Sequence, residues 1–461
     1  ARAEALSTSG LAVAFSGLAV IVSLAGLWMV DNQALRSMAL GAMTVVAVSI
    51  LTAVTLLPAL IAMLGDRVLP GGIVAKVLGV FRRRGERPDR EAFWVRWTTR
   101  VMAHPWRAVI GVSAVLLTLA IPLLSVETGT QALKQFPADS DVRVGNELAA
   151  KQLRGGTDPV QIVASFEGSR PDRAAVASFM RTIGATPGVS SVAPPAFAGD
   201  SVLIQATPSA PSESDPTIAL ISRLHDRVVP TTELSRVATV EVGGETARSQ
   251  DARSQISGSM WKIILFVLAL SYLVLMVMLR SLLLPLKAVL MNLLSIGAAF
   301  GVLVAVFQWG WFSNLLGFES QGALDTINVP LIFAIVFGLS MDYEVFLMSR
   351  IREHYLEHGD NERAVAEGLS TSARTISSAA LIMTAVFSVF VLTGVPSIKE
   401  LGLGCAVAIA LDATLVRLIL VPAAMKLLGS WNWWMPSWLD RALPELSFES
   451  GTSPEPEPEP T

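Results

Sequence analysis

The sequence predicts a polytopic α-helical membrane protein carrying one water-facing α+β domain, and three observations lead there. Of 461 residues, 52% are hydrophobic and only 16% charged, whereas soluble domains carry about a quarter charged residues. About eight stretches are apolar over about 20 residues, the length that crosses the hydrocarbon core of a bilayer. One long interval, 126–258, breaks this rhythm with Ser, Pro, Asp and Arg.

The spans are expected at 10–30, 38–64, 107–125, 260–279, 286–307, 327–349, 375–393 and 401–427. The stretch from Arg67 to Arg107 also holds Arg82, Arg83, Arg84, Arg87, Arg90, Arg96 and Arg100, whereas Gln308 to Thr326 contains neither Lys nor Arg. Because basic loops stay on the cytoplasmic side, the first stretch is expected inside and the second outside. Alternate threading then puts Arg280, Lys287 and the segment from Arg350 to Arg374 inside, and the 126–258 domain outside. Trp28, Trp261, Trp309 and Trp311 fall at the outer boundary, and Trp94, Trp97 and Trp106 near the inner one, as aromatic belts require. The lone Cys405 lies in an apolar run and reads as a packing residue, so no disulfide framework is expected. The chain opens on "ARAEALSTSG", without Met or a cleavable signal, and reads as a fragment or a trimmed chain.

Within 126–258, "DPVQIVASFEG", "SVLIQATPS" and "RVATVEVGG" read as strands, while "DRAAVASFMRTIGATPG" and "DPTIALISRLHDRVVP" read as helices. This βαβ-like rhythm predicts a compact α+β domain. The terminal "SPEPEPEPT" is Pro-rich and acidic and is expected to be extended and disordered.

The chain repeats itself. "AEALSTSGLAVAFSGLAV" (Ala3 to Val20) parallels "AEGLSTSARTISSAALIM" (Ala366 to Met383), and the run ending at Gly65 parallels the run ending at Gly429, which has one residue more. The first two spans thus repeat the last two in the same orientation, the parallel arrangement of facing transporter halves.

In "FGLSMDYEVFLMSRIREH", Asp342 sits well inside its span, roughly 10 Å from the inner boundary at 1.5 Å per residue. An intramembrane acid costs at least about 2.5 kcal/mol on insertion scales and points to a proton or ion pathway. Tyr343, 100° around the helix from Asp342, is expected to hydrogen-bond a carboxylate on another element. Gly338, four residues before Asp342, leaves room for a neighbouring helix. Glu344 is expected to be solvated or paired with Arg350 or Arg352. Asp412 and Arg417 form a second candidate pair; a spacing of five places them on different faces of an α-helix, so a direct pair requires their side chains to bend together, and either could instead meet Asp342 or Tyr343 across the bundle. His354 and His358 have an i, i+4 spacing but no evident third ligand, so no metal is expected. Asn292, Ser295, Ser377, Ser378, Thr384 and Ser388 read as ordinary interhelical polar contacts. No Walker-type loop appears, so ATP is not the evident energy source; no cofactor and no nucleic-acid partner are implied.

"FGLSMDYEVFLMSRIREHY", with "AVAEGLSTSARTISSAALIM" and "LGLGCAVAIALDATLVRLILVPAAMKLLG", resembles the MMPL family of actinobacterial lipid exporters in the resistance-nodulation-division (RND) superfamily. The resemblance implies two similar transmembrane halves, each with a porter domain after its first span. It assigns 1–65 to the last two helices of the first half, 66–106 to a cytoplasmic basic linker, 107–125 to a transmembrane helix, 126–258 to an extracytoplasmic porter domain, 259–429 to a five-helix block and 430–461 to a disordered cytoplasmic tail. It implies export of lipids or other hydrophobic compounds across the plasma (inner) membrane, driven by protons and not by enzymatic chemistry. Asp342 and Tyr343 match the relay pair of the second half, and Asp412 and Arg417 its supporting acidic and basic positions. The matching first-half pair and porter domain are missing from this chain, which is therefore not expected to transport unaided. Membrane lipids, accessory envelope proteins and an oligomer are compatible partners. Two alternatives stand beside this reading: a membrane scaffold that does not transport, and an intramembrane aspartyl protease using Asp342 and Asp412, whose motifs this chain lacks.

Overall fold

A computed structural model describes residues 17–64, 89–129, 132–137, 139–152, 158–211 and 214–443. Expectations for residues 1–16, for the arginines at 82–87 and for the acidic tail beyond 443 lie outside the described residues. Among the described residues, seven helices are long and apolar enough to cross a membrane, and a shorter apolar helix, Gly17–Met29, precedes them. Along the chain these elements are α1 (Gly17–Met29), α2 (Gln33–Leu64), α3 (Asp89–Ala103), α4 (Pro105–Ala120), α5 (Asp141–Gln152), β1 (Val160–Ser165), α6 (Arg173–Gly184), β2 (Val189–Val192), β3 (Ala196–Ala198), β4 (Ser201–Pro208), α7 (Asp215–Arg223), β5 (Thr239–Gly243), α8 (Glu245–Leu279), α9 (Leu283–Leu303), α10 (Asn328–His358), α11 (Asn361–Phe390), α12 (Pro396–Leu411) and α13 (Val421–Leu428). The chain is thus a multi-pass membrane protein with one α+β domain.

In that domain the strand order is β2-β4-β1-β5, with β3 also on β4, and every pairing is antiparallel. The βαβ rhythm therefore forms with a difference: β1, α6 and β2 run as a βαβ unit, but β4 lies between its two strands. The short β3–β4 turn at Gly199 and Asp200 folds β4 back into that gap, giving a split βαβ arrangement. One sheet face is apolar at every second residue: Val160, Ile162 and Ala164 of β1, and Val202, Ile204 and Ala206 of β4, are buried under Val176, Phe179 and Ile183 of α6 and Leu220 of α7.

The domain is continuous with the bundle. Gly244, at φ 110°, turns β5 into α8 where a Cβ would lie 3.1 Å from the Pro159 carbonyl oxygen. The 35-residue α8 then spans about 52 Å, so one rigid helix starts in the domain and ends at the far side of the bundle, where Arg280 closes it in a left-handed conformation. α9, α10 and α12 are the most buried helices and form the centre.

Two boundaries differ from expectation. The basic linker at 66–106 contains α3, which docks through Trp97, whose Nε1 donates to the Leu418 carbonyl at 3.0 Å. The disordered tail does not begin at 430. Asn432 is fully buried and donates to the carbonyls of Met425 (2.7 Å) and Gly429 (2.8 Å). Trp433 stacks on Tyr355 with ring centroids 4.3 Å apart, and Ser437–Ala442 is helical. Aromatic surface in "WNWW" gives this segment something to bury, which the acidic repeat after it lacks.

Candidate functional site

At the centre of the bundle the last span changes its helical pitch. Between α12 and α13, Asp412–Leu420 is a π-helix, with hydrogen bonds spanning five residues. In an α-helix, residues five apart point about 140° away from each other; in a π-turn the fifth residue returns above the first. Asp412 and Arg417 therefore share a face, and the expectation that they lie on different faces is corrected. Arg417 Nη2 lies 2.7 Å and Nε 2.8 Å from Asp412 Oδ2, and the two residues are only 2% and 4% exposed.

The pair is anchored on α10. Ser340 Oγ lies 2.8 Å from Asp412 Oδ2 and 3.0 Å from Asn292 Oδ1 of α9, and Arg417 Nη2 donates to the Ser340 backbone carbonyl. Removing either partner of such a pair strands a charge in the interior at a cost of about 3–5 kcal/mol. Beside it is a cavity of about 10 Å³, lined among others by Asn292, Ser295, Ser340, Tyr343 and Asp412. That is the lower limit for a single water, and the lining is polar enough to hold one.

Tyr343 covers the pair differently from expectation. Its ring lies over the Arg417 guanidinium, 5.1 Å from centroid to Cζ, and its hydroxyl donates to Met383 Sδ at 3.5 Å rather than to a carboxylate. Asp342, next to it on α10, is half-buried. The structure thus brings Tyr343, Asp412 and Arg417 together and leaves Asp342 off the wall of the cavity. Gly338 faces α1, where a Cβ would meet Val20 Cα at 3.1 Å and Ser23 Cβ at 3.2 Å; Ser23 Oγ donates to the Ala334 carbonyl at 2.7 Å across the same contact.

Two further charged residues are inside the bundle against expectation. Glu344 is 3% exposed and pairs with neither expected arginine: Arg350 binds Glu353 at 2.8 Å, and Arg352 donates to the Met278 carbonyl at 2.6 Å. Instead the charges of Arg417 and Lys287 act on it. Lys287, expected at the inner end of its span, lies in the second turn of α9 at 8% exposure. Ser340 and Asn292 are site members that patterning did not separate from ordinary polar residues. The sequence signal for the pitch change is the extra residue in the second copy of the repeat, which falls between Gly404 and Pro422, the interval that holds the π-segment; a single insertion is what a π-bulge accommodates.

The profile of the MMPL family matches residues 1–108 and 139–460. The chain belongs to the MMPL family. Among its MMPL relatives, "Heme uptake protein MmpL11" of Mycobacterium tuberculosis is 43% identical over 455 residues, covering 96% of this chain and 46% of that protein. "Mycolic acid-containing lipids exporter MmpL11" of Mycolicibacterium smegmatis is 42% identical over 453 residues, covering 96% and 47%. The chain thus spans about half the length of the curated relatives it matches. In fold it is similar to the hedgehog release protein Disp of the water bear Hypsibius dujardini, with a TM-score of 0.58 at 12% identity over 92% of this chain and 59% of that one.

Proposed function

We propose that this chain forms part of a transporter that exports lipids or other hydrophobic compounds across the plasma membrane, driven by protons moving through the bundle. The observation that carries the reading is the buried Asp412–Arg417 pair bridged to α10 by Ser340. Protonating Asp412 would remove the counter-charge of a fully buried guanidinium, and the repacking this demands is the kind of two-state event a transporter needs. One charge moved across 100 mV is worth about 2.3 kcal/mol, enough to bias such a switch. Tyr343 holds Arg417 from the other side, and Asp342, half-buried on the same helix, is the proton carrier nearest in sequence. Residues 126–258 lie outside the cytoplasm in this reading and shelter the apolar part of the substrate, while 259–429 carry the proton path. The substrate class is supported by the name of the M. smegmatis relative. The name of the M. tuberculosis relative supports a second reading, heme as cargo.

The test uses the full-length protein in cells. Wild type is compared with Asp412→Asn and Asp342→Asn at matched membrane levels, with envelope-lipid export and heme uptake both measured. Loss of lipid export with the folded protein retained supports the proposal. Export unaffected by both substitutions would remove the proton path and leave a scaffold, and loss confined to heme uptake would select the second reading.

A further inference from the structure

A second buried carboxylate lies at the other end of the bundle, where the α+β domain rises. Glu400, in the second turn of α12, is 4% exposed, and its Oε1 has no hydrogen-bond partner among the described residues. Its Oε2 accepts from the Asp325 backbone N–H at 3.1 Å. Asp325, 7% exposed, caps α10 by accepting from Ile327 N at 2.9 Å and Asn328 N at 3.4 Å. Its Oδ2 accepts from Ser397 Oγ at 2.8 Å. A carboxylate this buried with an unsatisfied oxygen is costly and calls for a partner.

The Asn328 side chain acts on it as a hydrogen-bond donor, but the charges around it do not pair with it. Lys399, next in sequence, turns away and donates to the carbonyls of Leu316 and Gly317. Lys134 and Arg143 are engaged by Glu319, at 3.9 and 2.6 Å. The facing acid, Asp325, carries the same sign as Glu400. A dry carboxylate facing a like charge does not ionise readily, and a proton on Glu400 relieves both the repulsion and the desolvation.

The same network reaches the stalk of the α+β domain. The Ser397 backbone N–H donates to Gln135 Oε1 at 3.0 Å, and Asn328 Nδ2 donates to the Ser397 carbonyl at 2.8 Å. Ser397 thus bridges the domain stalk, the cap of α10 and the start of α12. Along α12, Glu400 precedes Asp412 by a dozen residues, about 18 Å at 1.5 Å per residue.

We infer that Glu400 and Asp325 form a second proton-binding site, at the domain end of the bundle, whose occupancy is coupled through Ser397 and Gln135 to the seating of the α+β domain. With a proton bound, the start of α12 is held against the Asp325 cap. With the proton lost, like charges push the two apart and loosen the Ser397 bridge to Gln135. The inference rests on the proton-driven reading above, and its test is independent of cargo.

The experiment is infrared difference spectroscopy of the full-length protein in liposomes as the pH is stepped on the domain side. Wild type is expected to show a carboxylic C=O band that Glu400→Gln removes and Glu400→Asp retains at a shifted frequency, while Gln135→Ala moves the pH midpoint of the band. In parallel, wild-type protein is treated with a hydrophobic carbodiimide, which attacks protonated buried carboxyls, and the Glu400 peptide is analysed by mass spectrometry. Labelling that fades as pH rises supports the site and needs no variant to fold. An unchanged band in Glu400→Gln, or absence of labelling at Glu400 across the pH range, overturns it. A Gln135→Ala midpoint equal to that of wild type overturns the coupling. The band present without proton-dependent export would sink the transport reading and leave the site standing; export without the band would do the reverse.

Discussion

In α2, Thr44, Ser49, Thr52 and Thr55 each return the side-chain hydroxyl to the carbonyl four residues back, at 2.8, 2.8, 2.8 and 2.6 Å. In the matching copy, α12 with the π-segment and α13, Asp412 and Arg417 pair with each other and reach across to Ser340. The first copy is a continuous α-helix with Val45 and Leu51 65% and 64% exposed; the second is wedged among α9, α10 and α11. One pattern has therefore become a self-satisfied apolar helix in one place and a charged junction in the other. A single additional residue, with the change in helical pitch that absorbs it, accompanies the difference. Polarity within a membrane is tolerated either by closing each polar group onto its own helix or by committing it to a neighbour, and only the second choice creates a site.

The largest expected effect tests the asymmetry directly. Asp412→Ala leaves Arg417 buried without its counter-charge and is expected to cost about 3–5 kcal/mol, whereas Ser49→Ala, at the corresponding place in α2, should stay within about 0.5 kcal/mol. Thermal unfolding of the full-length protein in detergent checks both. A small loss for Asp412→Ala would mean that the pair contributes little.

Single-residue deletions sharpen the comparison next. Removing Leu415 shortens the Asp412–Arg417 spacing to four, which a regular α-helix still brings together. Removing Leu418 also permits a regular α-helix but keeps the spacing at five, about 140° apart. The Leu418 deletion is expected to approach the loss seen for Asp412→Ala, and the Leu415 deletion to fall well short of it. Equal losses would show that the pitch change is not what makes the pair.

The glycines Gly41 and Gly404 occupy matching positions in the repeat and give a smaller contrast. A Cβ at Gly41 meets nothing within 4 Å, while one at Gly404 would lie 2.9 Å from Leu303 Cδ1 and 3.2 Å from Ile332 Cδ1. Gly41→Ala should stabilise by up to about 1 kcal/mol through helix propensity, and Gly404→Ala should cost about 1–3 kcal/mol through overpacking. The same unfolding measurement decides, and matching signs at the two positions would break the contrast.

The smallest effect lies in the α+β domain. Asp200, in the β3–β4 turn, accepts from Gly168 N at 2.9 Å and Ser201 Oγ at 3.1 Å, and these bonds hold its carboxyl below the usual range. Its contribution is complete above the unfolded value near 3.9 and disappears as pH falls through the folded one. Asp200→Asn should therefore be slightly less stable than wild type at neutral pH, and the gap should close in acid. A gap that persists in acid would assign the effect to turn geometry.

Much of the architecture was legible in the chain itself. Apolar length and the placement of arginine marked the spans, because a bilayer imposes one length and one charge asymmetry on every helix that crosses it. The strands 160–165, 201–208 and 239–243 were readable from alternation. The short strands 189–192 and 196–198 were not, since they carry too little apolar pattern to stand apart from loop. The insertion of β4 between β1 and β2 was also hidden, because strand order depends on which edge a turn presents.

For the site, the sequence by itself determined which charged residues are placed at membrane depth, Asp342, Asp412 and Arg417 among them, because their cost in lipid makes them conspicuous. Only the tertiary structure decided how they meet. The π-segment brought Asp412 onto Arg417, the packing of α9 and α10 buried Lys287 and Glu344, and Tyr343 turned its ring to the guanidinium. Periodicity assumes one helical pitch and isolated faces, and both assumptions fail where a residue is absorbed into a wider turn and the facing helix supplies the partner.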